Sequence, residues 1–238
     1  MTIFVFDMDG TLTPVRLPMM AEFAIHFYEW QKTHKSFIAT GSDYKKVEEQ
    51  LPPTVIKGFT GIYSSMGNIL LSKGSVVYQK DFKAEPLLFE KLEAYRKNTS
   101  YPGMLYPNYI EERIGMINFS VLGRNCPYTE REKYSAWDKN SHEREKNAAE
   151  LRKLFPQYEI AVGGSISMDI TPKGQGKGQI ARHLRLQYPD EKIIFFGDKT
   201  FAGGNDYELA YELSQMENTQ VVQVNSPEEV LMFLKNME

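Results

Sequence analysis

The sequence predicts an α/β fold: a parallel-sheet core interrupted by an inserted α+β cap domain. Three observations carry this. A short apolar run ends on acidic residues near the start, strand and helix patterns alternate after it and again near the end, and the middle follows neither rhythm.

Thr2 to Phe6 stops at Asp7, ahead of the turn signal Asp9-Gly10-Thr11, so it reads as a buried strand delivering carboxylates to its C-terminal edge. Met20, Phe23, Ala24 and Phe27 are spaced for a helix face, and Phe37-Ile38-Ala39 fits a second buried strand. Thr40-Gly41-Ser42 ends that strand, with Ser42 or Asp43 as cap for a helix carrying Val47 and Leu51. Gly61 to Tyr63 supplies a third strand. The same grammar returns late: a helix on Ile180, Ala181 and Leu184, and a strand over Lys192 to Phe196 that ends at Gly197-Asp198. A helix on Leu209, Ala210 and Leu213, a strand over Gln220 to Val224 and a helix on Val230, Leu231 and Leu234 complete the core.

Between them lies a mixed stretch. Leu88, Leu92 and Tyr95 suggest a helix, Pro102 to Tyr109 a loop, Ile114 to Val121 a strand, and Glu143 to Phe155 an amphipathic helix. Tyr158 to Val162 and Ser165 to Thr171 read as short strands around Gly163-Gly164. The expected domains are therefore a core of residues 1–81 and 173–238 and a cap of residues 82–172.

Composition narrows the function classes. With 238 residues, 42% hydrophobic and 25% charged, the chain has the make-up of a globular protein, and a net charge of -3 gives no reason to expect nucleic acid. Cys126 is the sole cysteine, which excludes an intrachain disulfide and a cysteine-based zinc site, so a cytoplasmic setting is expected. No signal peptide pattern opens the sequence and no apolar run approaches spanning length, so no membrane partner is expected. His26, His34, His142 and His183 show no metal-ligand spacing.

The strongest local feature is Asp7-Met8-Asp9-Gly10-Thr11. If its strand and the one ending at Asp198 are central and parallel, Asp7, Asp9 and Asp198 converge at the sheet edge where such folds hold ligands. Crowded carboxylates repel, and a hard divalent cation with oxygen ligands, magnesium rather than zinc, relieves that repulsion. Asp7 is then placed to attack phosphorus and Asp9 to act as general acid and base. Ser42 is either a helix cap or a hydroxyl that grips phosphoryl oxygens. Lys177 either solvates a glycine-rich loop or balances the charge of Asp7 and a phosphoryl group. Asn205-Asp206 either caps the next helix or serves a metal, Asn205 in a supporting role.

Together these residues resemble the four motifs of the haloacid dehalogenase-like superfamily, and the whole chain is similar to its eukaryotic-type α-phosphomannomutases. The matching strings are DMDGTLTPVR from Asp7, GSDYKKVEEQL from Gly41, GRNC from Gly123 and FFGDKTFAGGNDYEL from Phe195. The resemblance implies a Rossmann-like core, a magnesium (Mg2+) cofactor and phosphosugar mutase activity. It places the nucleophile on Asp7, the acid and base on Asp9, the phosphoryl grip on Ser42 and Lys177, and the metal on Asp7, Asp9 (through its backbone carbonyl), Asp198 and Asp206. Arg113, Arg124 and Arg131 match positions that bind the distal phosphate or sugar. Asn118, Ser167 and Asp169 match polar substrate contacts, and Arg16 matches a core-side substrate arginine.

The implied substrates are hexose monophosphates, with a hexose 1,6-bisphosphate as activator and intermediate, and a homodimer through the cap is implied as well. Two departures stand out: Pro172 to Lys177 reads PKGQGK where the family has PDGWDK, and Ala39-Thr40-Gly41-Ser42 replaces a more usual Gly-Gly-Ser. A magnesium-dependent sugar-phosphate phosphatase is the enzymatic alternative, and a phosphosugar-binding sensor the non-enzymatic one.

Overall fold

The computed structural model describes residues 1–236; positions 237 and 238, the end of the expected core segment, lie outside the described residues. In chain order the elements are β1 (Thr2–Phe6), α1 (Ala21–Gln31), β2 (Lys35–Ala39), α2 (Tyr44–Gln50), α3 (Pro53–Gly58), β3 (Gly61–Ser64), β4 (Ile69–Ser72) and β5 (Ser75–Gln79). Then come α4 (Pro86–Lys97), β6 (Ile110–Arg113), β7 (Met116–Phe119), α5 (Tyr128–Ser141), α6 (Glu143–Leu154), β8 (Tyr158–Gly163) and β9 (Ser167–Pro172). The chain finishes with α7 (Gln179–Gln187), β10 (Lys192–Gly197), α8 (Tyr207–Ser214), β11 (Thr219–Gln223) and α9 (Pro227–Lys235). No helix among the described residues is long and apolar enough to cross a membrane.

The chain divides into two compact units. The first comprises Met1–Lys80, Gly176–Ala202 and the residues from Asp206 onward; the second comprises Asp81–Gln175 with Gly203–Asn205. The first unit holds a seven-stranded sheet in the order β11-β10-β1-β2-β3-β4-β5, parallel from β11 to β3 and antiparallel in the last two. The central strands are near-continuous apolar runs because helices cover both faces. Phe4, Phe6, Ile38 and Phe196 pack with α1 and α9 on one face, while Ile3, Val5, Phe37 and Phe195 pack with α7 and α8 on the other. The β4–β5 hairpin, turning at Lys73 and Gly74 with positive φ, is an edge addition that the sequence pattern did not signal.

In the second unit an antiparallel sheet runs β6-β7-β9-β8. Side chains alternate across it. Ile117, Phe119, Met168, Ile170 and Ile160 join the buried cluster that includes Leu88 and Leu92 of α4 and Leu151 of α6. The intervening residues, Glu111, Arg113, Asn118, Ser167 and Asp169, therefore share the opposite face. The single strand expected over Ile114 to Val121 is corrected to a hairpin. Ile114 and Gly115 form its turn, with Gly115 at φ 73°, which a glycine adopts without the strain a side chain would add.

Candidate active site

The loop after β1 folds back tightly, with the N–H groups of Thr11, Leu12 and Thr13 all donating to the carbonyl of Met8. This holds Asp7 in line with its strand, where its own N–H donates to the Phe196 carbonyl of β10 at 2.9 Å. β1 and β10 are parallel and paired Phe6 to Phe196, so Asp7 and Asp198 leave neighbouring strand ends at the same edge. Asp206 comes in from the start of α8. Oxygens of Asp7, Asp198 and Asp206 lie within 4.8 Å of one another.

Two glycines make room for this cluster. A Cβ on Gly10 would stand 2.6 Å from Asp198 Oδ2, and one on Gly197 2.6 Å from Asp206 Oδ2. Gly10 also has φ 91°. Gly10→Ala is therefore expected to push Asp198 aside and weaken Mg2+ binding by about 10-fold or more, the cost typical of disturbing a ligand's support; Mn2+ binding followed by electron paramagnetic resonance checks it.

Lys177 settles one open alternative. It is fully buried, not a solvated loop residue, and its Nζ donates to Asp7 Oδ1 at 2.6 Å and also to Asp206 Oδ1. Asp206 occupies the N-cap position of α8, as one of its two expected roles requires, but its side chain makes no capping hydrogen bond. Its carboxylate instead accepts from Lys177 and, at 3.3 Å, from the Lys199 N–H. The cap of α2 is Asp43, which accepts from the Lys46 N–H at 2.9 Å, leaving Ser42 uncommitted to that role.

Asp9 stands apart from the three-acid cluster. Its carboxylate accepts from the Arg16 backbone N–H at 2.7 Å and from Ser42 Oγ at 3.4 Å, which brings Asp9, Ser42 and the Arg16 backbone together. Arg16 itself is exposed, in a left-handed conformation. Asn205 is grouped with the second unit, and its Oδ1 is buried with no hydrogen-bond partner among the described residues. Lys199, which the motif reading passed over, donates to Asp198 Oδ2 at 2.7 Å; its only signal in the sequence is its position next to Asp198.

Electrostatically the cluster is short of positive charge. Burial first, and then the charge of Asp206, push the Asp7 carboxyl well above the ordinary carboxylate range, and Lys177 offsets only part of this. Burial also raises Asp198, against Lys199. Burial draws Lys177 down, but Asp206 and Asp7 more than reverse that and keep it charged. Asp7 Oδ2 and Asp198 Oδ1 are buried with no hydrogen-bond partner among the described residues. Orphaned carboxylate oxygens are costly unless something binds them, and an all-oxygen set of this kind fits a hard divalent cation such as magnesium.

The second unit gathers the remaining candidates on the polar face of its sheet. Arg124 Nη1 donates to Ser167 Oγ at 2.7 Å, Arg131 Nη2 donates to the Arg124 carbonyl at 2.7 Å, and Asn118 Nδ2 donates to Asp169 Oδ1 at 2.5 Å. Arg113 and Arg124 are joined through Glu111, which the motif reading missed. Glu111 Oε2 accepts from Arg113 Nη2 at 2.5 Å, and its Oε1 lies 3.3 Å from Arg124 Nε. The signal for it was the two-residue spacing of Glu111 and Arg113, legible only once β6 is known to be a strand.

Known proteins share this organisation. Among solved structures, a haloacid dehalogenase-like hydrolase from Bacteroides thetaiotaomicron superposes with a TM-score of 0.62 over 100% of this chain and 99% of its own, at 14% identity, a likeness of fold. A phosphomannomutase of Galdieria sulphuraria is 33% identical, with 97% of this chain and 92% of the relative covered. A probable phosphomannomutase of Caenorhabditis elegans is 36% identical, with 99% and 95% covered. The family described as eukaryotic phosphomannomutase matches residues 23–237. The α/β core with its inserted second unit, the acidic cluster and these matches agree, and the chain belongs to the eukaryotic phosphomannomutase family.

Proposed function

We propose that this protein is a magnesium-dependent phosphomannomutase that interconverts mannose 6-phosphate and mannose 1-phosphate through phospho-Asp7 and a hexose 1,6-bisphosphate. The observation that carries the reading is the buried set of Asp7, Lys177 and Asp206, in a family member whose cap also collects arginines on one polar sheet face. Residues 1–81 with 173–238 serve as the catalytic core and 82–172 as the substrate-binding cap.

Asp7 is the nucleophile. Its carboxylate oxygen forms a bond to phosphorus as the bond from phosphorus to the sugar oxygen breaks, giving an acyl phosphate. Asp9 gives a proton to the departing alcohol oxygen and takes one from the incoming hydroxyl in the reverse transfer. Its ties to the Arg16 N–H and Ser42 fix its carboxyl for that role. Lys177 and Ser42 hold the phosphoryl oxygens. Asp7, Asp198, Asp206 and the Asp9 carbonyl, with Asn205 in support, would hold magnesium, which would neutralise charge on the phosphoryl group.

A mutase must hold one phosphate of a bisphosphate while the other reacts. Arg113, Arg124 and Arg131 suit that distal phosphate, because guanidinium forks match its oxygens, and Asn118, Ser167 and Asp169 suit sugar hydroxyls. Arg16 adds a core-side contact. The reading also takes in a hexose 1,6-bisphosphate activator and a homodimer through the cap, both resting on family membership, and a cytoplasmic site of action, which rests on the single cysteine, Cys126.

Phosphorus NMR of mannose 1-phosphate with the enzyme and magnesium, with and without a trace of glucose 1,6-bisphosphate, tests the reading. The expected result is bisphosphate-stimulated conversion to mannose 6-phosphate with little inorganic phosphate, lost on chelation and restored by Mg2+. Steady phosphate release without isomerisation would replace the mutase with a phosphatase.

A further inference from the structure

The carboxylate that joins Arg113 and Arg124 has no part in the chemistry above. Glu111 is half-buried, and the arginine side chains it bridges are only 11% and 8% exposed. Two guanidinium groups so enclosed repel one another, and an anion set between them offsets that repulsion. Burial alone raises the Glu111 carboxyl, but Arg124 and then Arg113 more than reverse this and hold it below the usual range, so it is ionised at neutral pH.

Geometry gives the bridge a second effect. A guanidinium presents five N–H donors in a rigid planar fork, so engaging one edge sets where the others point. Glu111 engages Arg113 at Nη2 and stands beside Nε of Arg124, whose Nη1 is tied to Ser167. The two-residue spacing on β6 keeps Glu111 and Arg113 on one face, opposite Asn118 of β7. A carboxylate one methylene shorter, or an amide of the same length, would meet only part of this arrangement.

We propose that Glu111 is a positioning residue that sets the spacing and orientation of Arg113 and Arg124 for the phosphate that is not reacting. This rests on the phosphohexose reading of the same site. A rival role for the same carboxylate is simple competition, in which Glu111 occupies the arginines and weakens anion binding. The two roles predict opposite signs when the charge is removed.

The experiment compares wild type, Glu111→Gln and Glu111→Asp as full chains with Mg2+. Glucose 1,6-bisphosphate binding is measured by titration calorimetry. Phosphorylation of Asp7 by acetyl phosphate, a donor with no second phosphate, is measured alongside, and thermal unfolding verifies that each variant is folded. The expected result is a dissociation constant about 10-fold higher in Glu111→Gln, an intermediate value in Glu111→Asp and acetyl phosphate labelling within about 2-fold of wild type. Equal or tighter bisphosphate binding by Glu111→Gln overturns the proposal in favour of competition or no role. Parallel loss of acetyl phosphate labelling overturns it in favour of a general structural defect. A wild type that does not bind the bisphosphate removes the phosphohexose reading and the proposal together, and the wild-type titration alone identifies that case.

Discussion

Asp7→Asn is expected to leave a folded protein with turnover reduced by on the order of 10^4-fold or more, the scale on which an enzyme loses its nucleophile. Asp7 is 2% exposed, and among the described residues only one of its carboxylate oxygens has a partner, Lys177. An amide keeps the size and one carbonyl oxygen for Lys177, so the fold tolerates it, but it forms no acyl phosphate. A chemical trap makes the loss specific. After exposure to glucose 1,6-bisphosphate and Mg2+, borohydride reduces an acyl phosphate at position 7 to the alcohol, leaving homoserine in the wild-type peptide. Homoserine should be absent from Asp7→Asn. Near-normal turnover by that variant, or a trap that lands on another residue, would remove Asp7 from its assigned role.

The same residues show why some of the structure was legible in the sequence and some was not. β1, β2 and β10 were readable because their apolar runs match a sheet covered on both faces, and the acidic residues that follow β1 and β10 named the site edge directly. The β4–β5 hairpin was not, since Ser75–Gln79 is mostly exposed at a sheet edge and no apolar period marks it. Helix α5 also went unread. It buries Arg131, Tyr134 and Asp138, two of them charged, and hydrophobic periodicity does not register such a face. Ile114 was drawn into a strand by its own apolarity, whereas Gly115 next to it turns the chain.

Local rules also failed in an informative way at Asp206. Its placement before a helix is what a cap requires, yet its carboxylate faces Lys177, which is 29 positions earlier in the chain. Lys177 in turn reaches Asp7 across 170 positions. Contacts of that range leave no local pattern; the residues themselves left the roles of Lys177 and Asp206 open, and the resemblance to four separated motifs pointed to one of them. Glu111 lay outside those motifs and emerged only from the strand register.

Lys177→Met is expected to lower stability by about 3–5 kcal/mol, the range for removing one partner of a buried ion pair. The side chain is enclosed completely and sits between Asp7 and Asp206, with Asp198 close by, so its loss leaves Asp7 and Asp206 crowded with no cation paired to either, Lys199 being engaged with Asp198. Methionine fills most of the volume, which confines the effect to charge. For a chain of this length, that loss corresponds to a fall in Tm of roughly 6–20 °C. Added Mg2+ should recover part of it, because a cation bound only by the folded acidic cluster stabilises in proportion to the logarithm of its concentration over its Kd. Thermal unfolding of wild type and Lys177→Met across a Mg2+ series measures both effects. An unchanged Tm would mean that the carboxylates are neutral in the folded protein. A Tm that Mg2+ raises in neither protein would mean that the acidic cluster does not bind the ion, and the metal assignment to Asp7, Asp198 and Asp206 would fall with it.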